Sequence, residues 1–185
     1  PFLAEQTIVE AISISNETNQ NKFLVRSFIQ YSSFLLTQSR EDSAIVVLNK
    51  GLSIAKNNNY TKQQSDMLVN MGYAYWQKGD FEKATQYQHT NLEVARSIGD
   101  SMRVANSYLV LGSILSQKGA YTQAMEYYTL ASKRFLESED FSGYRVAIGN
   151  IGYIQRSLGN YSSAIDYFKR SDSISVIQDD IAGKA

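Results

Sequence analysis

Cysteine is absent from this 185-residue chain, and with it go disulfides, thiolate nucleophiles and cysteine-ligated zinc. That absence does not fix a compartment. Histidine occurs once, at His89. Zinc and triad chemistry need further ligands or partners, so His89 reads as a helix-surface residue. No charge of one sign is in excess: Lys plus Arg and Asp plus Glu number 18 each, and neither gathers in one stretch. Nucleic acid needs a basic stripe for its phosphates, and an anionic membrane surface needs a polybasic segment; both are missing. No run approaches the roughly 18 apolar residues of a membrane span, so insertion by this segment is not expected. No Gly-x-Gly-x-x-Gly or P-loop occurs. The chain begins at Pro1 without Met and shows no charged region followed by an apolar core. The compartment stays open, a cytoplasmic one being favoured and an exported or periplasmic sensor domain compatible.

What is present is a repeat. Gly72, Gly112 and Gly152 lie forty residues apart and each opens the same phrase: Gly72–Gly79–Phe81–Ala84, Gly112–Gly119–Tyr121–Ala124 and Gly152–Gly159–Tyr161–Ala164. A fixed period in this range marks a stacked repeat array. With 43% hydrophobic residues the chain can bury a core. Leu68, Met71, Gly72 and Tyr75 follow helical spacing, as do Tyr108, Leu111, Gly112 and Leu115. A second stripe comes after each turn, as in Ala124, Tyr127, Tyr128 and Ala131. Each unit therefore reads as helix A, a short turn and helix B. Gly inside a helix costs about 1 kcal/mol relative to Ala, which suits Gly72, Gly112 and Gly152 to a close helix contact. Ala84, Ala124 and Ala164 are expected to face them. Gly79, Gly119 and Gly159 suit the left-handed position that ends helix A.

The register runs further in both directions. Ser32, Ser39 and Ala44 stand for the two glycines and the alanine in a degenerate first unit. The expected organisation is a single array: residues 1–17 as helix B of a truncated unit, then units over 21–57, 61–97, 101–137 and 141–177. Asp100 and Asp140 precede successive A helices as N-caps. Asp180 falls in the same register, so 180–185 reads as the start of a further helix A. Glu137, Glu139 and Asp140, like Asp179 and Asp180, fall at turns between units, where solvated capping explains them without catalysis. Three Asn-X-Ser/Thr triplets (from Asn16, Asn59 and Asn160) are of the kind an Asn- and Ser-rich chain contains by chance.

The phrase resembles the tetratricopeptide repeat. The matching residues are Leu68, Met71, Gly72, Tyr75, Gly79, Phe81 and Ala84; they recur as Tyr108, Leu111, Gly112, Leu115, Gly119, Tyr121 and Ala124, and again as Ile148, Ile151, Gly152, Gly159, Tyr161, Ala164 and Phe168. Two departures stand out: a period of forty rather than the usual 34, and no late proline, Pro1 being the only one. With Ile98–Gly99–Asp100 as a tether, the chain is similar to the longer-repeat branch of spindle-orientation adaptors, kinesin light chains and bacterial signalling arrays. The resemblance implies an all-α, right-handed superhelical solenoid of antiparallel helix pairs, without cofactor, metal or catalytic residues.

It also implies that helix A lines a concave groove holding a protein or peptide. The positions left over from packing then face the ligand. They include Arg26, Gln30, Ser33 and Thr37; Asn70, Tyr73 and Gln77; Asn106 and Ser113; and Asn150, Tyr153 and Arg156. Asn and Gln carry both a donor and an acceptor, and tyrosine gives flat area with a polar tip. Arg26 and Arg156 suit acidic groups on a ligand, whereas the clustered Lys and Arg of a carboxylate clamp are missing. Trp76 beside the groove line reads as packing. The leading expectation is a non-catalytic binding module, the sensor or docking region of a longer signalling protein. The alternatives are a homo-oligomerisation module acting through the ends of the solenoid, and the regulatory part of a larger enzyme or transcription regulator.

Overall fold

The computed structural model describes residues 2–18 and 20–182, with side chains over 5–18 and 20–173. These residues form helices only: α1 (Phe2–Glu17), α2 (Asn21–Thr37), α3 (Glu41–Asn57), α4 (Thr61–Gln77), α5 (Phe81–Ser97), α6 (Ser101–Gln117), α7 (Tyr121–Glu137), α8 (Phe141–Ser157) and α9 (Tyr161–Ala182). The forty-residue period is thus two 17-residue helices, each followed by a three-residue turn.

The turns share one chemistry. After α4, Gly79 takes φ +76°, its N–H reaches Trp76 O at 2.9 Å, and the Asp80 N–H reaches Tyr75 O at 2.9 Å. This is the Schellman pattern, which satisfies two carbonyls that the helix end leaves over. Gly119 and Gly159 repeat it at φ +77° and +80°. Where the sequence has Ser39, Asn59 or Glu139 in place of glycine, the backbone still enters the left-handed region, at φ +53°, +57° and +56°. Some helix starts are fixed by side chains: Asp100 accepts from the Arg103 N–H and Asp140 from the Gly143 N–H, each at 3.0 Å. Asp80 does the same for Lys83 at 3.1 Å. That bond, with the Lys83 ammonium beside it, holds the Asp80 carboxyl below its ordinary pKa.

The chain divides into two units, residues 1–98 and 99–185. In the first, each helix from α1 to α5 packs on the next, and α2 also touches α4. Its core joins Leu24, Val25, Phe28, Leu48, Met67 and Met71. In the second, α6 to α9 pack in the same succession and α6 meets α8. Ala124, Tyr128, Ile151 and Ile154 form a buried cluster there.

The helix glycines do lie at close contacts, but the alanines are not what roofs them. The atoms nearest a β-carbon at Gly72, Gly112 and Gly152 come from Gln88, Tyr128 and Phe168, at 2.6, 2.7 and 2.8 Å. These residues stand one turn beyond Ala84, Ala124 and Ala164, which are themselves buried. A side chain long enough to cross the gap, rather than a second small residue, fills the space each glycine leaves. The far end of α9 also differs from expectation. The helix passes through Asp180 to Ala182 instead of breaking for a new cap. Asp179 stands in the register of Gly99 and Glu139, which make the turns before α6 and α8.

Candidate functional site

In the first unit, α2 and α4 enclose an open hollow of about 400 Å³ lined by Ser33, Leu36, Thr37, Ser39, Asn70, Tyr73 and Gln77. Asn70, Tyr73 and Gln77 succeed one another at helical spacing along α4, so local geometry alone puts them on one face. Apart from the tyrosine phenol, no titratable side chain lines the hollow, so its walls are uncharged. Tyr73 is 42% exposed, with its ring edge-on to Trp76 at 5.7 Å and 72°. Trp76 is half-buried and thus supports the tyrosine. The Gln77 amide points at the Tyr73 hydroxyl across 3.5 Å, a long contact that a ligand group displaces at little cost.

Asn70 is committed differently. Its amide nitrogen donates to the Ser32 and Ser33 hydroxyls, both at 3.0 Å. Ser32 in turn donates to Ile29 O at 2.8 Å. Both amide protons of Asn70 thus tie α4 to α2, leaving the carbonyl oxygen as the atom for a ligand. Arg26 and Gln30 lie exposed on α2 but do not line the hollow.

In the second unit the α6 positions separate. Asn106 is exposed. Ser113 is occupied by the protein itself, donating to Leu109 O at 3.0 Å and accepting from the Tyr128 hydroxyl at 3.2 Å. Burial pushes the Tyr128 phenol above its ordinary pKa, and the Ser113 bond opposes that shift. On α8, Tyr153 and Arg156 do meet. The guanidinium lies 5.1 Å from the centroid of a ring that is 54% exposed, and Phe168 supports the ring edge-on at 5.1 Å.

A second hollow, absent from the sequence expectations, lies between α4 and α5. Tyr75, Lys83, Gln86, Tyr87 and Thr90 line about 270 Å³. Tyr75 and Tyr87 stack in parallel at 5.4 Å and 8°, with the Lys83 ammonium 5.0 Å above the Tyr75 ring. Both tyrosines belong to packing stripes in the sequence. Their spacing of twelve residues across a turn is the only signal that could have paired them. Among the described residues no three His, Cys, Asp or Glu side chains are grouped to hold a metal ion, and no helix is long and apolar enough to cross a membrane.

An all-α array of equal helix pairs, with glycine at the close contacts and the Schellman turns, defines a helical repeat protein. Two tetratricopeptide repeat family models match it, over residues 63–137 and 147–175. The chain belongs to the tetratricopeptide repeat family. It is similar to tetratricopeptide repeat protein 29 of Trypanosoma brucei brucei, 24% identical over 152 residues that make up 82% of this chain and 31% of that protein. The chain therefore spans about a third of the relative's length. Among solved structures, the apo form of RapI superposes with a TM-score of 0.77 at 15% identity, over 96% of this chain and 72% of that one. A Rap protein complexed with competence and sporulation factor gives 0.71 at 14%, over 89% and 52%. A signal transduction ATPase with numerous domains and a tetratricopeptide repeat sensor, from Pyrococcus horikoshii, gives 0.78 at 17%, over 88% and 25%. These likenesses establish the fold.

Proposed function

We propose that this chain is a non-catalytic module that binds a protein or peptide segment along its A helices, and that it acts as the sensor or docking region of a longer signalling protein. One observation carries the reading. The α2–α4 hollow is uncharged, walled by hydroxyl and amide groups, and has at its edge an aromatic ring that no packing role has buried. Such a surface holds a peptide backbone through donors and acceptors while the tyrosine covers one apolar side chain. A docking role within a larger chain is supported by the length of the relative and by the sensor position of similar repeats in the Pyrococcus horikoshii ATPase.

The test is selection of a displayed random peptide library, of about twelve residues, on the immobilised protein, with affinity then measured for the selected peptides. Tyr73→Ala with Gln77→Ala should weaken binding by about tenfold or more, the scale of a lost aromatic anchor. Helicity and melting should be unchanged, because both side chains are exposed. Binding that survives the double substitution would remove the hollow from the reading. Asn70 is unsuited to this test because it ties two helices.

A second reading, self-association, is favoured by α9. Tyr161 and Ile165 are 66% and 52% exposed, whereas their counterparts on α7, Tyr121 and Met125, are half-buried against the α7–α8 cluster. Sedimentation velocity at several concentrations separates this reading, since a monomer throughout excludes it.

A further inference from the structure

We propose that the Tyr153–Arg156 pair on α8 reads an acidic side chain, so that a segment bound on the second unit carries an Asp or Glu. This rests on the peptide-binding reading and gives it a ligand chemistry. Tyr153 stands eighty residues after Tyr73, and Asn150 eighty after Asn70, so each unit presents the same Asn-x-x-Tyr step on an A helix. The residue three positions past the tyrosine is different in each. In the first unit Trp76 supports Tyr73, and the surroundings are neutral. In the second, Arg156 takes the tryptophan's place and lays its guanidinium over the Tyr153 ring.

Among the described residues Arg156 has no carboxylate partner, whereas Arg40, Arg96, Arg103 and Arg134 are each paired to one. Arg156 is exposed beside the ring, so its N–H groups stay open to a ligand. The planar fork of a guanidinium matches a carboxylate with two parallel hydrogen bonds. The amide beside it is available as well. Asn70 spends its protons on Ser32 and Ser33. The corresponding α6 residues are Gly112, which has no hydroxyl, and Ser113, which is held by Tyr128 and Leu109. Asn150 consequently makes no hydrogen bond among the described residues, although it is half-buried. A cation, an open amide and an exposed ring thus lie within two turns of one helix. Together they fit a carboxylate and its neighbouring backbone amide, whereas a cationic side chain would meet Arg156 as a like charge.

The experiment uses the same peptide library, selected on the wild-type protein. The winning peptides should share an Asp or Glu at one position, and changing it to Asn or Gln should weaken binding by about tenfold, as expected for a lost charge-assisted pair. With Arg156→Gln that discrimination should vanish while the Asn or Gln peptide binds both proteins alike. Arg156→Glu should favour Lys or Arg at the same position. Peptides that bind wild type with no acidic preference, or a preference that survives Arg156→Gln, overturn this inference and leave the peptide-binding reading standing. A library that yields no binder overturns both.

Discussion

The Gln88 amide nitrogen lies 2.6 Å from the point where a β-carbon on Gly72 would stand, and Gln88 is only 1% exposed. Neither of its amide atoms has a hydrogen-bond partner among the described residues. The same place in the other helix pairs is filled by Leu48, Tyr128 and Phe168. Two of these are apolar, and the tyrosine hydroxyl reaches Ser113. The α4–α5 contact therefore buries an amide where its siblings bury carbon or a satisfied group.

Gln88→Leu should stabilise the protein. An unsatisfied buried amide costs about 1–3 kcal/mol, and the buried Leu48 shows that leucine fits the position. Equilibrium urea unfolding should give a higher midpoint with an unchanged slope. A midpoint that stays put would mean that solvent reaches the amide in the folded state.

Gly112→Ala should be more harmful than Gly72→Ala. Both gain about 1 kcal/mol of helix propensity. At position 72 the new methyl meets first the far end of an unbranched glutamine side chain, which gives way at less cost than a ring. At 112 it meets the Tyr128 ring at 2.7 Å, and that ring is 3% exposed and bonded to Ser113. Overpacking of this kind costs about 1–3 kcal/mol. Unfolding curves of the two variants should move apart, with Gly112→Ala below wild type and Gly72→Ala close to it.

Those two glycines also show how far a sequence can be read. The helices and turns are legible because their causes are local: a left-handed Gly79, an Asp100 side chain three residues from the N–H it caps. A close contact at Gly72 and Gly112 is legible from the period. What fills it is not, because Gln88 and Tyr128 arrive from another helix at a position where the stripe also admits leucine and phenylalanine. Site residues divide in the same way. Tyr73 and Gln77 reach a common hollow because they share one helix face. The diversion of Asn70 into Ser32 and Ser33, 38 and 37 residues away, depends on how α2 and α4 pack.

That diversion sets different outcomes for two asparagines in the same register. Asn70→Ala removes two hydrogen bonds between helices and should cost about 1–2 kcal/mol. Asn150→Ala removes none among the described residues and should stay within about 0.5 kcal/mol of wild type. Thermal melts of the two single variants check this, and equal losses would contradict it.

Glu139→Gly should stabilise the turn before α8. Glu139 holds φ +56°, where Gly99 holds +66° in the corresponding turn before α6. An L-residue in that region carries a strain of about 1–2 kcal/mol, partly offset by the greater freedom of glycine in the unfolded chain. A net gain of about 0.5–1 kcal/mol is expected, with Gly99→Ala losing a similar amount. Chemical denaturation of both variants would reveal matching shifts of opposite sign.

On α1, Glu5 accepts from the Arg40 guanidinium at 2.7 Å and from the Tyr31 hydroxyl at 3.0 Å. The Arg40 bond, then the Tyr31 bond, hold the Glu5 carboxyl below its ordinary pKa. Burial, with the Glu5 contact behind it, lifts the Tyr31 phenol above its own. For the carboxyl, the stabilisation is complete above the unfolded glutamate value of about 4.3 and is lost as the pH falls through the lower folded value. For the phenol, it is complete below an unfolded value of about 10 and is lost as the pH rises through the higher folded one. The contact that joins α1 to Tyr31 of α2 and to Arg40 should therefore be strongest between those limits. Hydrogen exchange of the α1 amides should be slowest near neutral pH, after correction for the intrinsic rate, and should quicken in acid. Glu5→Gln keeps the side chain's length but loses its charge. It should bring the α1 protection at neutral pH down towards the wild-type level in acid, and it should flatten the acid limb. An acid limb unchanged by Glu5→Gln would place the titrating group elsewhere on α1 or its neighbours.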